Sequence, residues 1–266
     1  MCMTPLTIRH KITCQNIDVP CSKCPDCRKR RINGWAFRLE QEMKTSKTAM
    51  FLTLTYSTEF IPINSNHQFT LDKHQVQCFI KRLRKINQDK IKYYLCGEYG
   101  SKTNRPHYHI ILFNAQIETI QKEWKYGNVH YGELNMATIT YTLKYLNKVI
   151  KTGTYENDTR QPEFQLMSKR LGISYLTKQK VQYHKNDLKN RFAIALEDGK
   201  KIAMPRYFKD KIYNDDEKII ISNHYALLNE QRNSEFKTNE QIHNKVQSDL
   251  HQFNMMLTKS EKNDKL

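Results

Sequence analysis

Along the chain, short runs rich in β-branched and aromatic residues alternate with longer stretches in which apolar residues recur at helical spacing. Trp35, Leu39 and Met43 stand at every fourth position, which predicts a helix over residues 35–43. AMFLTLTYS, residues 49–57, has the composition and length of a central strand. Between Asp72 and Ile86, the residues Val76, Phe79, Ile80, Leu83 and Ile86 trace one helical face, and Lys81, Arg82, Arg84 and Lys85 lie on the other. IKYYLCGEYG, residues 91–100, and PHYHIILF, residues 106–113, predict two further strands. Tyr99 to Pro106 between them, with Gly100, Ser101, Asn104 and Pro106, suits a hairpin connection. A third helix is expected from Met136 to Ile150.

This order of strand, helix, strand, strand, helix predicts an α+β fold, a central antiparallel sheet with flanking helices. Four segments are expected: a Cys-rich basic stretch with a helix (1–47), the sheet core (48–151), a mixed basic extension (152–228) and a polar tail, helical or disordered (229–266).

Charge narrows the partners. With 44 Lys and Arg against 27 Asp and Glu, the formal net charge is +17, and a soluble chain so unbalanced most often meets a polyanion. Nucleic acid leads. No apolar run approaches the ~18–20 residues of a spanning helix, so no membrane partner is expected. MCMTPLTIRH at the amino terminus carries no apolar signal segment, and the protein is not expected to be secreted. Seven cysteines in such a chain argue for reduced thiols or metal ligands rather than a disulfide framework.

Two clusters carry candidate chemistry. In a strand, residues two apart share a face, so His107 and His109 of RPHYHIILF could hold one ion. If the hairpin forms, Glu98 lies across from His107, with Cβ atoms about 5 Å apart. One carboxylate and two imidazoles suit Mg²⁺ or Mn²⁺ acting as a Lewis acid on a phosphate oxygen, and zinc is chemically allowed. Two solvated or hydrogen-bonded histidines are the plainer alternative.

The predicted third helix supplies a nucleophile. Met136, Ile139, Leu143, Leu146 and Ile150 form its apolar stripe, while Tyr141, Tyr145 and Lys148 cluster opposite. Two core tyrosines would sit on the stripe. Tyr141 and Tyr145, one turn apart, therefore read either as exposed surface residues or as two interchangeable phenolic nucleophiles. A free phenol has a pKa of about 10, so Lys148 or Lys144 would assist attack.

Cys21, Cys24 and Cys27 form C-x₂-C-x₂-C, a spacing that commonly holds structural Zn²⁺ with a fourth ligand, here Cys2 or Cys14. Reduced thiols without metal are the alternative. A closed zinc site would fix Arg28, Lys29, Arg30 and Arg31 as a DNA-facing platform. Cys78 and Cys96 read as ordinary core residues.

Five stretches carry a family resemblance: PCSKCPDCRKRR (20–31), FLTLTY (51–56), GEYGSKTNRPHYHIILF (97–113), YTLKYLNK (141–148) and MPRYFKDKIY (204–213). Over roughly residues 1–215 the chain resembles the HUH endonuclease superfamily, and more closely the rolling-circle replication initiators of microviruses, the gokushovirus group above all. The resemblance implies an HUH nuclease core in which His107 and His109 are metal ligands and Glu98 is the third. It makes Tyr141 and Tyr145 the nucleophiles and Lys148 the motif lysine. Tyr108 between the histidines departs mildly from the usual aliphatic residue.

The activity so implied is a site-specific nick of one origin strand, leaving a 5′-phosphotyrosine and a 3′-OH. A second tyrosine cut then rejoins the ends into a circle. The partners implied are origin DNA, single-stranded and duplex, with the host's DNA polymerase and helicase, in the cytoplasm of a bacterial host. The chain contains no G-x-x-x-x-G-K-[ST] phosphate loop, in keeping with strand unwinding by the host's helicase. Two other readings compete, a zinc-bearing nucleic-acid binder without chemistry and an HUH relaxase or transposase of a mobile element. Arg160, Lys169, Arg170, Lys178, Lys180, Lys200, Lys201 and Arg206 suggest on composition that the extension binds DNA.

Overall fold

The computed structural model describes residues 2, 4–9, 14–100, 102–143, 158–196 and 199–234, with scattered residues after 234. The chain forms two compact units, Met1–Trp35 with Tyr175–Leu266, and Ala36–Ser174. The first opens with a hairpin of β1 (Leu6–Arg9) and β2 (Asn16–Val19). Helix α1 follows over Pro25–Met43.

This helix starts ten residues before the spacing of Trp35 predicts. Pro25 opens it, where a missing N–H costs nothing, and Arg and Lys are good helix formers, so the basic run Arg28–Arg31 lies inside the helix rather than ahead of it.

Ala36–Ser174 holds the sheet. Its strands are β3 (Ala49–Thr55), β4 (Lys92–Tyr99), β5 (Pro106–Phe113), β6 (Val129–Gly132) and β7 (Phe164–Met167), in the spatial order β6-β3-β5-β4-β7. All four pairings are antiparallel. The fold is thus the expected α+β architecture, with β5 at its centre. Strand β7 comes from the weakly patterned region after residue 152, and four half-buried residues at a sheet edge leave little periodicity to read.

Alternation sorts the sheet residues into two faces. Leu52, Leu54, Leu95, Tyr108, Ile110 and Leu112 point to one side, where Val76, Phe79, Ile80 and Leu83 of α2 (Lys73–Ile86) bury their stripe. Asp72 caps α2 by accepting the Gln75 N–H at 3.0 Å. Ile86, at the end of the predicted stripe, is exposed, and Cys78 is half-buried beside His74 instead of in the core. Cys96 is buried, as expected. Short α3 (Ile117–Glu123) precedes Trp124, whose indole N–H donates to the Thr55 carbonyl at 2.9 Å.

Helix α4 (Met136–Leu143) packs against β5 and buries Ile139, Thr142 and Leu143. Met136, assigned to the apolar stripe, sits in the first turn and is exposed. The predicted continuation to Ile150 lies outside the described residues. Gly172, at φ +69°, lets the chain pass Arg38, whose carbonyl oxygen would stand 2.5 Å from any added Cβ.

The C-terminal part of the first unit contains α5 (Lys178–Lys185), a hairpin of β8 (Ala193–Ala195) and β9 (Lys201–Ala203), α6 (Arg206–Ile212) and α7 (Asp215–Ser234). Among the described residues no helix is long and apolar enough to cross a membrane.

Candidate functional site

The β4–β5 ladder runs from Lys92↔Phe113 to Tyr99↔Pro106, so strand pairing continues to the edges of the connecting loop. Glu98 lies directly opposite His107, as the hairpin argument requires, and His109 follows two residues on, on the same face. Glu98 Oε1 stands 2.8 Å from His107 Nε2 and 2.9 Å from His109 Nε2. One ligand atom from each of the three lies within 4.8 Å of the others, a candidate metal-binding group built on two central strands.

Electrostatics follow from that convergence. Burial alone would push the Glu98 carboxyl up, but hydrogen bonds from His107 and His109, reinforced by their charge, draw it down to about 2.

The far nitrogens of both rings are also held. His107 Nδ1 faces the Arg105 carbonyl at 3.2 Å, and a carbonyl only accepts, so this nitrogen carries the proton and Nε2 is turned to the centre. His109 Nδ1 lies 2.9 Å from the Thr53 hydroxyl, while Phe51 stacks on the ring at 5.4 Å and 15°. Sequence reading passed over Thr53, Phe51 and Arg105. The signal was present in FLTLT, because period two places Phe51 and Thr53 on one face, but only the register of β3 against β5, Thr53↔His109, identifies their partner.

Tyr108 faces away from the histidines and is fully buried. Its hydroxyl donates to the Asp72 carbonyl at 2.9 Å and lies 2.9 Å from the Tyr56 hydroxyl, which ties the strand between the two histidines to the start of α2.

Tyr141 on α4 has its ring 5.5 Å from that of His109, at 84°, and is 39% exposed. Neighbouring Thr142 and Leu143 are buried, so the helix presents Tyr141 at the histidines while anchoring on its other side. Tyr145, Lys144 and Lys148 lie outside the described residues.

A second donor set stands in the unit that contains Met1–Trp35. Thiols of Cys2, Cys21, Cys24 and Cys27 lie within 4.8 Å of one another, Cys24 and Cys27 being brought together at the start of α1. Cys14 is exposed and outside the group, so the fourth thiol is Cys2. Cys2 and Cys24 sulfurs are 3.9 Å apart, close to the ~3.8 Å edge of a tetrahedron with 2.3 Å zinc–sulfur bonds. The Thr4 hydroxyl and the backbone N–H groups of Cys24 and Lys23 donate to Cys21 Sγ at 3.2, 3.2 and 3.4 Å and draw its thiol down to about 5.

Comparison with known proteins gives these sites a context. The family profile of replication-associated proteins of the ORF2 type matches residues 49–150, the stretch that contains both the Glu98 grip and Tyr141. Replication-associated protein ORF2 of Spiroplasma virus 4 is 32% identical over 217 residues, 73% of this chain and 67% of the relative. Replication-associated protein VP4 of Bdellovibrio phage phiMH2K is 27% identical over 72% of this chain and 66% of its own. Replication-associated protein ORF4 of Chlamydia phage 1 is 26% identical over 76% of this chain and 55% of its own. No solved structure matches the chain.

Proposed function

This chain belongs to the ORF2 family of replication-associated proteins, of the microvirus type, and we propose that it is the enzyme that opens and closes the origin strand. The observation that carries the reading is the convergence of Glu98, His107 and His109 on one sheet face, with the Tyr141 ring 5.5 Å from His109.

The donor set fits a divalent ion. One carboxylate oxygen and two imidazole nitrogens, with His107 already presenting Nε2, suit Mg²⁺ or Mn²⁺. Such an ion supplies Lewis-acid polarisation of the scissile phosphate. The chain's residues do the rest.

Tyr141 attacks phosphorus through its phenolic oxygen, forming a 5′-phosphotyrosine bond while the bond to the 3′-oxygen breaks and leaves a 3′-OH. Loss of the phenolic proton is eased by a nearby cation, the role given to Lys148 or Lys144. The bond energy stays in the phosphotyrosine, so Tyr145 can cut the regenerated site and the freed 3′-OH can attack the first linkage to close a circle. A host polymerase extends the 3′-OH and a host helicase opens the duplex, inside the bacterial cell. Cys2, Cys21, Cys24 and Cys27 hold a structural Zn²⁺, and Arg28–Arg31 meet DNA phosphates.

The test is incubation with labelled single-stranded origin DNA and Mn²⁺, followed by a denaturing gel. Wild type should give a covalent protein–DNA band that Tyr141→Phe combined with Tyr145→Phe abolishes, as does chelation. DNA binding with no adduct across several metals and origin strands would favour the non-catalytic binder.

A further inference from the structure

In the unit that contains Tyr175–Leu266, α5 reads KQKVQYHK and carries no acidic residue. Its outer surface forms an open groove lined by Lys178, Gln179, Gln182, Tyr183, Asn186 and Arg191. Tyr183 is 45% exposed, a large aromatic face left toward solvent. Two cations attend its ring, the Arg191 guanidinium 4.5 Å from the centroid and Lys180 Nζ at 6.0 Å.

Arg191 is held from beneath. Its carbonyl accepts from Nδ1 of the fully buried His184, whose Nε2 in turn accepts from the Tyr175 hydroxyl at 2.7 Å. The Arg191 N–H donates to the Asp187 carbonyl at 2.9 Å. The arginine is therefore anchored by the backbone, and its cation–π contact with Tyr183 belongs to a built surface. Beside it, Gln182 Nε2 donates to Asn186 Oδ1, which leaves the Gln182 carbonyl and the Asn186 amino group as an acceptor and a donor side by side. That is the pairing that reads base edges.

We propose that this groove is a second DNA site, one that stacks an unpaired base on Tyr183 while Lys178 and Arg191 take the flanking phosphates. Phosphate contacts alone need no exposed aromatic ring, whereas rings set among cations are how proteins hold single strands. A paired duplex hides the base faces that such a ring would meet. The inference rests on the proposed function only for the nature of the polynucleotide.

The test is fluorescence anisotropy of the full chain, without added divalent metal, on an oligo(dT) strand, an abasic strand of equal length and a duplex. Tyr183→Ala should weaken oligo(dT) binding about tenfold and leave the abasic strand and duplex unchanged, and Tyr183→Phe should retain wild-type affinity. Unchanged oligo(dT) binding by Tyr183→Ala, or an equal loss on all three ligands, overturns the proposal. Nicking is read separately from the covalent band formed with Mn²⁺. A missing band alongside the selective Tyr183 effect would count against the proposed function and leave the groove standing.

Discussion

Two candidate metal-binding groups converge in this protein, and they are held together by opposite means. Glu98, His107 and His109 sit on paired strands in the middle of a five-stranded sheet, and the ladder sets their spacing before any ion arrives. Cys2, Cys21, Cys24 and Cys27 come from extended segments and the first turn of a helix, beside a two-stranded hairpin whose β1 residues are all exposed. Little apolar burial supports that hairpin. The first group is a product of the fold, and the second is a condition for it.

The largest expected effect follows from that contrast. Removing zinc, or Cys24→Ser, should withdraw about 10 kcal/mol of binding free energy from the cluster, which a small hairpin cannot replace. Hydrogen exchange should rise sharply in β1, β2 and the first turn of α1 and stay low in β4 and β5. Cys14→Ser should change neither region. Equal protection of β1 and β2 with and without metal would erase the distinction.

Next in size is the loss of chemistry at the grip. Glu98→Ala should slow formation of the covalent DNA adduct by about a thousandfold or more, the several kcal/mol a Lewis acid supplies. The sheet should survive, with β4 and β5 exchange unchanged. Unfolding of the sheet in this variant would show that the grip, like the cluster, depends on its contents.

The grip was the more legible of the two, and the reason lies in periodicity. A strand repeats every two residues, so the spacing of His107 and His109 and a hairpin between Tyr99 and Pro106 were enough to pair Glu98 with His107. Thr53 escaped notice because its role depends on which strand lies beside β5, and pairing order is not written in the alternation of either strand. For the cysteines, spacing named three ligands and left two choices for the fourth, since Cys2 and Cys14 lie in segments without a pattern. Only the path of the chain before β1 selects Cys2. The start of α1 was misplaced because Arg28–Arg31 carry no apolar stripe, and Pro25 marks the first turn only to a reader already looking for it.

Acid should separate the grip from the rest of its unit by a smaller amount. In metal-free protein the Glu98 carboxyl is depressed to about 2 from an ordinary 4.5, so the unfolded chain takes up its proton first as pH falls. The stabilisation is complete above 4.5 and is lost as pH drops toward 2, on the order of 3 kcal/mol. Urea unfolding at pH 5 and pH 2.5 should show that loss in wild type and a flatter profile in Glu98→Gln. Identical slopes would mean that the carboxylate contributes nothing without metal.

The smallest effect is the most discriminating, because it concerns one hydrogen bond behind one ligand. His109 can offer Nε2 to an ion only while Nδ1 keeps its proton, and the group facing Nδ1 is the Thr53 hydroxyl at 2.9 Å. Thr53→Val preserves the β-branched shape that the strand favours and removes the partner, so the sheet should keep its stability while Mn²⁺ affinity falls about 10- to 100-fold. Thr53→Ser restores a hydroxyl and should recover most of the affinity. Titration of Mn²⁺ into both variants, with thermal melting as the control for packing, reads the two quantities apart. An affinity loss shared by Thr53→Ser would trace the effect to strand packing, and no loss in Thr53→Val would leave Phe51 stacking as the contact that holds the ring. In a site whose spacing is set by the ladder, the side chain behind the ligand is where tuning remains, and Thr53 occupies that place.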